Sequence, residues 1–302
     1  ERTARLVFYM YETKLTSASE GSFTGGYNDY VSETLMPKVT KADNPHWPKH
    51  RDNTHKEEER KQQIGTLGNM FLVKAEGKKE LKKRLTILHS NDMHGDFLAK
   101  EVDDKLLGGV SMLSGYVNKV RNEEEHVLYA IAGDMFRGSV IDSEYKGLST
   151  IEIMNMLAPD VVTLGNHEVD YGIGHLLFIE KCARFPIINA NLYLTTNHVR
   201  LFNSHVILKI GGMRILFIGV LTEEVLAQAR QEKLIGSIVD VREAATEVGK
   251  ICNAYRTENI DLTVLLTHIG FEEDKRLAAQ LDPSLGIDII IGGHSHTYLE
   301  RP

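Results

Sequence analysis

From residue 84 onward the chain alternates short apolar runs with longer stretches whose apolar positions recur every three or four residues. Residues 85–89, 127–132, 160–164, 186–190, 261–266 and 287–291 are apolar runs bounded by polar residues, the pattern of buried strands. Between them lie helix faces. Val110, Leu113, Val117 and Val120 mark the first, and Ile151, Met154 and Leu157 the second, which should end at Ala158-Pro159 because proline cannot continue it. Ile173, Leu176, Leu177 and Cys182 mark a third. Val241, Ala244, Ala245, Val248, Cys252 and Tyr255 mark a fourth, for which Asp240 is the expected N-cap, with Glu243 three residues on as a capping-box variant. Residues 199–208 and 213–220 read as paired strands turning at Gly211-Gly212. Strands alternating with helices predict an α/β protein with a layered, mixed β-sheet sandwich flanked by helices. There is no internal repeat.

Residues 1–83 lack this regularity. A strand is expected at 6–11, loop at 21–30, and extended or turn structure at 44–48, where two prolines stand. Residues 49–63 form a charge run, read as solvated helix or disorder. His46, His50 and His55 match no metal-site spacing and are expected to be surface histidines. The segment is expected to be an N-terminal accessory region of unknown role, or part of a fusion, ahead of a catalytic domain at 84–302.

The chemistry sits where the strands end. Asp92 with His94, then Asp134, then Asn166 with His167, then His268, then His294 with His296 each directly follow an apolar run. In a mostly parallel sheet these ends converge on one edge, where open α/β sheets place their ligands. Asp170 lies three residues after His167, near enough to orient that imidazole and hold its proton. Two carboxylates, an amide and several imidazoles around one point suit zinc, manganese, iron or similar ions. The set is too rich for one catalytic metal, which typically takes three protein ligands, so two metals sharing a bridging carboxylate fit better.

Bulk properties narrow the field. At 302 residues, 42% hydrophobic and 25% charged, the composition is that of a soluble globular protein with one or two domains. A net charge of -7 argues against a dedicated nucleic-acid binder. No apolar run approaches the roughly 18 residues of a membrane span. The two cysteines, Cys182 and Cys252, form neither a disulfide framework nor a zinc-finger spacing and are expected to be buried and reduced. The chain starts with Glu, so it reads as processed or trimmed. No targeting segment is visible, and both an exported and a cytoplasmic protein remain open.

The order Asp92-Met-His94, Gly133-Asp-Met-Phe-Arg-Gly138, Gly165-Asn-His-Glu168, His268 and Gly293-His-Ser-His296 resembles the calcineurin-like metallophosphoesterase superfamily. Within it, His89-Ser-Asn-Asp-Met-His-Gly95, Gly165-Asn-His-Glu-Val-Asp-Tyr-Gly172 and Gly292-Gly-His-Ser-His-Thr297 are most similar to the 5′-nucleotidases. The resemblance covers about residues 84–302. It implies that Asp134 bridges two divalent ions (zinc, manganese, iron or cobalt). Asp92, His94 and His296 would complete one site, and Asn166, His268 and His294 the other. His167, paired with Asp170, would contact the phosphate and stabilise or protonate the leaving oxygen. Arg137 lies where the motif varies; it could touch phosphate, though a solvated side chain is the better reading. The implied activity is hydrolysis of nucleoside monophosphates or related nucleotides by a metal-bridging hydroxide. A phosphodiesterase or nuclease of the same superfamily and a non-catalytic interaction scaffold are the alternatives. The family also carries a C-terminal substrate-binding domain that clamps the base. This sequence stops soon after the last motif, so that domain is expected to be absent and the catalytic domain truncated.

Overall fold

The computed structural model describes residues 3–8, 83–221 and 239–299. The charge run at 49–63, the loops expected at 21–30 and 44–48, and His46, His50 and His55 fall outside them. The first sheet is parallel, in the order β1 (Thr3–Phe8), β2 (Arg84–Ser90), β5 (Val127–Ala132), β6 (Val161–Thr163) and β7 (Ile187–Ile188). The second is mixed, in the order β13 (Ile289–Ile291), β12 (Leu262–His268), β10 (Met213–Leu221) and β9 (His205–Ile210). Two minor pairs accompany them, β3 (Lys100–Val102) with β4 (Lys105–Leu107), and β8 (Leu192–Leu194) with β11 (Val239–Val241).

Side-chain alternation sorts each central strand between two cores. On β5, Leu128, Ala130 and Ala132 face the second sheet, where they pack with Ile215, Phe217, Val264, Leu266 and Ile291. Val127, Tyr129 and Ile131 face the other way, onto α1 (Gly109–Glu123), α3 (Leu148–Leu157) and α4 (Ile173–Cys182). On β10 and β12, Leu216, Ile218, Val220 and Leu265 pack on α5 (Ala244–Ala254) and α6 (Phe271–Gln280). The result is helices, sheet, sheet, helices, with every central strand apolar on both faces.

The expected sandwich is present as two facing sheets, and strand ends of both contribute to the polar edge. Several expectations shift. The strand expected at 199–208 begins only at His205, because Arg200 is drawn aside to donate to Ala190 O at 2.7 Å and Glu247 Oε2 at 2.9 Å. Its turn is as expected: Gly211 and Gly212 both have positive φ, 57° and 69°, which a tight hairpin turn requires. Asp240 is not a cap. It pairs with Tyr193 inside β11, and Glu243 caps α5 by accepting from Thr246 N at 2.7 Å. Cys182 and Cys252 are free thiols, but only Cys252 is buried; Cys182 is half-buried. No helix among the described residues is long and apolar enough to cross a membrane.

His89, within β2, is buried, and burial lowers its pKa to about 4. The folded protein therefore keeps it neutral where the unfolded chain takes up a proton. Its contribution is complete above the unfolded pKa of 6.5 and is lost as pH falls toward 4, at a cost of roughly 3 kcal/mol. Urea unfolding of metal-free protein at pH 7.5 and 4.5 should show a larger acid loss for wild type than for His89→Gln. Equal losses would contradict this.

Candidate metal centre

The carboxyl ends of β2, β5, β6, β12 and β13 point to one side, and the loops that follow them carry the polar clusters. Asp92, His94, Asp134, Asn166 and His167 come from the first sheet; His268, His294 and His296 come from the second. The backbone is contorted to bring them in. Asp92, His94, Asp134, His294 and His296 all have positive φ, between 49° and 80°. Non-glycine residues rarely sit there, and such strain persists only where the surroundings over-determine it. Two glycines leave the room required. A Cβ on Gly165 would collide with Asp134 Oδ1, and one on Gly133 would lie 2.6 Å from His268 Nδ1.

Ligand atoms of Asp92, His94 and His296 lie within 4.8 Å of one another, and so do those of Asp134, His268 and His294. His296 Nε2 is 3.3 Å from Asp92 Oδ1 and 3.1 Å from His94 Nε2. His268 Nε2 is 3.1 Å from Asp134 Oδ2 and 3.8 Å from Asp92 Oδ1. Asn166 Oδ1 is 3.0 Å from His294 Nδ1. All seven ligands expected from the sequence thus meet.

The donor chemistry fits a cation. His268 is wholly buried; its Nδ1–H donates to Ala132 O at 2.7 Å, which leaves Nε2 turned to the Asp134 and Asp92 carboxylates. A backbone acceptor behind the outer nitrogen is how ligating imidazoles are aimed. Burial pulls the His268 pKa down, but the Asp134 carboxylate beside it outweighs this and pushes it up to about 9. Burial raises Asp134, and the same partner reverses that, holding it down at about 2. A proton here offsets carboxylate charge in the place where a divalent ion would, and metal binding would release it.

His167 Nδ1 is 2.7 Å from Asp170 Oδ2. Burial lowers its pKa, but Asp170 and the neighbouring carboxylates outweigh that and leave it raised. His94, Asp134 and His167 also place ligand atoms within 4.8 Å, so distance alone admits His167 as a ligand. Arg137 is half-exposed but not simply solvated: Nη1 donates to Asp170 Oδ2 at 3.1 Å.

Sequence reading missed the buried carboxylates behind the centre. Glu168 accepts from the backbone N–H groups of Gly165, of Asp134 at 2.9 Å and of Met135 at 2.6 Å, tying two ligand loops together. Burial, then the Asp134 charge, pushes its pKa up to about 7. Its signal was present in Gly165-Asn-His-Glu168, where it read as one more polar turn residue. Glu168→Gln turns an amide donor toward N–H groups and should weaken metal binding about 10- to 100-fold, by competition with a chelating dye. Unchanged affinity would show that Glu168 does not hold the loops. Asp142, also fully buried, was unread as well; its signal was the Ser139-x-x-Asp142 spacing of a capped helix start, and Ser139 does cap α2 (Val140–Glu144).

The family model described as calcineurin-like phosphoesterase matches residues 85–298. The chain is 33% identical to mouse 5′-nucleotidase over 228 residues, which are 71% of this chain and 38% of that protein. It is 31% identical to human 5′-nucleotidase, with the same shares covered. The chain therefore spans well under half the length of these relatives. Among solved structures, a 5′-nucleotidase precursor from Thermus thermophilus superposes with a TM-score of 0.63 at 29% identity, covering 70% of this chain and 42% of that one. The NAD nucleotidase of Haemophilus influenzae gives 0.62 at 26% identity, covering 70% and 38%.

Proposed function

This chain belongs to the calcineurin-like phosphoesterase family, and from that premise we infer that it is the dinuclear-metal catalytic unit of a 5′-nucleotidase-type phosphohydrolase, formed by residues 84–302. The observation that carries this reading is the buried Nε2 of His268, held by the Ala132 contact behind its ring and set among Asp92, Asp134 and the other imidazoles. Asp134 would be the shared ligand. Asp92, His94 and His296 would hold one ion, and Asn166, His268 and His294 the other. Zinc, manganese, iron and cobalt all suit this mixed set of nitrogen and oxygen donors. Divalent ions, when bound, supply Lewis acidity toward phosphoryl oxygens and acidify water.

The chain's own residues supply the rest. Asp170 accepts the His167 Nδ1–H and, with the neighbouring carboxylates, favours the doubly protonated imidazolium, whose Nε2–H donates to the phosphoryl or leaving oxygen. Negative charge develops there as the ester bond breaks, and a fixed donor is worth most where charge develops. Asn166 points its carbonyl oxygen at His294, which frees its amide N–H to orient the phosphate. Nucleoside monophosphates or related nucleotides are the proposed substrates, because the relatives in mouse and human are 5′-nucleotidases. Contacts to the base are assigned to a further substrate-binding domain, as the sequence resemblance implies.

A substrate panel tests this: AMP, UDP-glucose, 2′,3′-cyclic AMP, bis-p-nitrophenyl phosphate and single-stranded DNA, each with metal-loaded protein. Phosphate release from AMP is the expected result. Cleavage of single-stranded DNA with AMP untouched would replace the nucleotidase with a nuclease. Retained metal with no turnover of any member would favour a non-catalytic scaffold.

A further inference from the structure

Arg137 is held in an uncommon way. Its φ is 66°, in the left-handed region where a long L side chain rarely sits. Its backbone N–H donates to Asp142 Oδ2 at 2.7 Å. Asp142 is fully buried and spends its remaining acceptor capacity on the same task. It accepts from the Thr150 hydroxyl at 2.5 Å and the Tyr171 hydroxyl at 2.9 Å. One carboxylate thus fixes the loop bearing Arg137 to α3 and to the turn that follows Asp170. Strain held by a dedicated buried group points to function at the strained residue.

The guanidinium that emerges is 54% exposed and stands beside His167. Nη1 is 3.1 Å from Asp170 Oδ2 and 3.4 Å from His167 Nδ1. Nε and Nη2 make no hydrogen bond among the described residues. An arginine anchored at one nitrogen presents its other donors in a planar fork, the geometry that matches phosphate oxygens. The Asp170 contact anchors the fork beside His167, which itself has a ligand atom within 4.8 Å of those of His94 and Asp134.

We propose that Arg137 is a substrate-binding residue that takes a non-bridging phosphoryl oxygen beside His167. Its positive charge favours phosphate monoesters, which arrive as dianions, over diesters, which carry one charge. This rests on the phosphohydrolase reading for the identity of the bound group, but not for the binding itself.

Inorganic phosphate is the probe for binding, titrated calorimetrically into metal-loaded wild type, Arg137→Gln and Arg137→Lys. p-Nitrophenyl phosphate and its bis-ester are the probes for selectivity. Losing a charge-assisted hydrogen bond should weaken phosphate binding and raise the monoester KM about 10- to 100-fold in Arg137→Gln. The diester, with half the charge, should lose about 3- to 10-fold. Arg137→Lys should recover part of the loss, since it restores charge without the fork. If Arg137 merely braces Asp170, Arg137→Gln would lower kcat equally for both esters and leave phosphate affinity unchanged. That result would overturn the proposal and leave the phosphohydrolase reading intact. Arg137-dependent phosphate binding without turnover of either ester would refute the reading and leave the proposal standing. Failure of wild type to bind phosphate would overturn the proposal outright.

Discussion

Asp134→Ala should lower phosphate release from AMP by roughly 10³-fold or more, the equivalent of about 4 kcal/mol of lost charge stabilisation. It is the carboxylate proposed to serve both ions. Its Oδ2 lies 3.1 Å from His268 Nε2 and 4.0 Å from His94 Nε2, so it reaches both ligand groups; Asp92 Oδ1 reaches them too, but from 3.8 and 3.9 Å. Its Oδ1 accepts the His167 backbone N–H at 2.9 Å, so it also positions the proposed proton donor. Elemental analysis of the variant should find both ions depleted. Asp92→Ala, which on the proposed assignment removes a ligand of one ion only, should retain one ion more firmly. Wild-type metal content with wild-type turnover in Asp134→Ala would show that no shared carboxylate is needed.

His167→Ala should lower kcat by about 10²- to 10⁴-fold, the usual worth of a positioned general acid. The diagnostic is what does not change. If His167 lies outside the ligand set, the variant keeps the wild-type complement of metal. The geometry makes this a real choice, because His167 stands within ligand reach of His94 and Asp134. Its 2.7 Å contact with Asp170 suits either role, since ligating imidazoles also donate their outer N–H to carboxylates. Loss of metal together with activity would make His167 a ligand and require another proton donor.

Much of this centre is legible in the chain because each cluster directly follows an apolar run. Asp92, Asp134, Asn166 and His268 are fixed by the ends of β2, β5, β6 and β12, and strand ends are where periodicity speaks most clearly. What is not legible is which sheet of the sandwich each strand joins. A strand buried on both faces reads alike in either sheet. The available hint was size: Ala130 and Ala132 on β5 and Gly219 on β10 are small because the other sheet presses on them, and a Cβ on Gly219 would collide with Ile188 O. Glu168 and Asp142 were missed for a different reason. A buried carboxylate whose partners are backbone N–H groups and hydroxyls looks in sequence like a solvated one. The misplaced cap at Asp240 shows tertiary pairing overriding local pattern, since β11 exists only because Leu192–Leu194 lies beside it.

The most direct test of the proposed two-metal centre is metal-dependent phosphate release from AMP by protein first stripped with a chelator. The stripped protein should release none. Activity should recover on addition of zinc, manganese or cobalt, rising until about two ions per chain are bound, the number expected of a two-metal site. Full activity in the stripped protein, or binding of metal with no recovery, would contradict a metal-dependent phosphohydrolase.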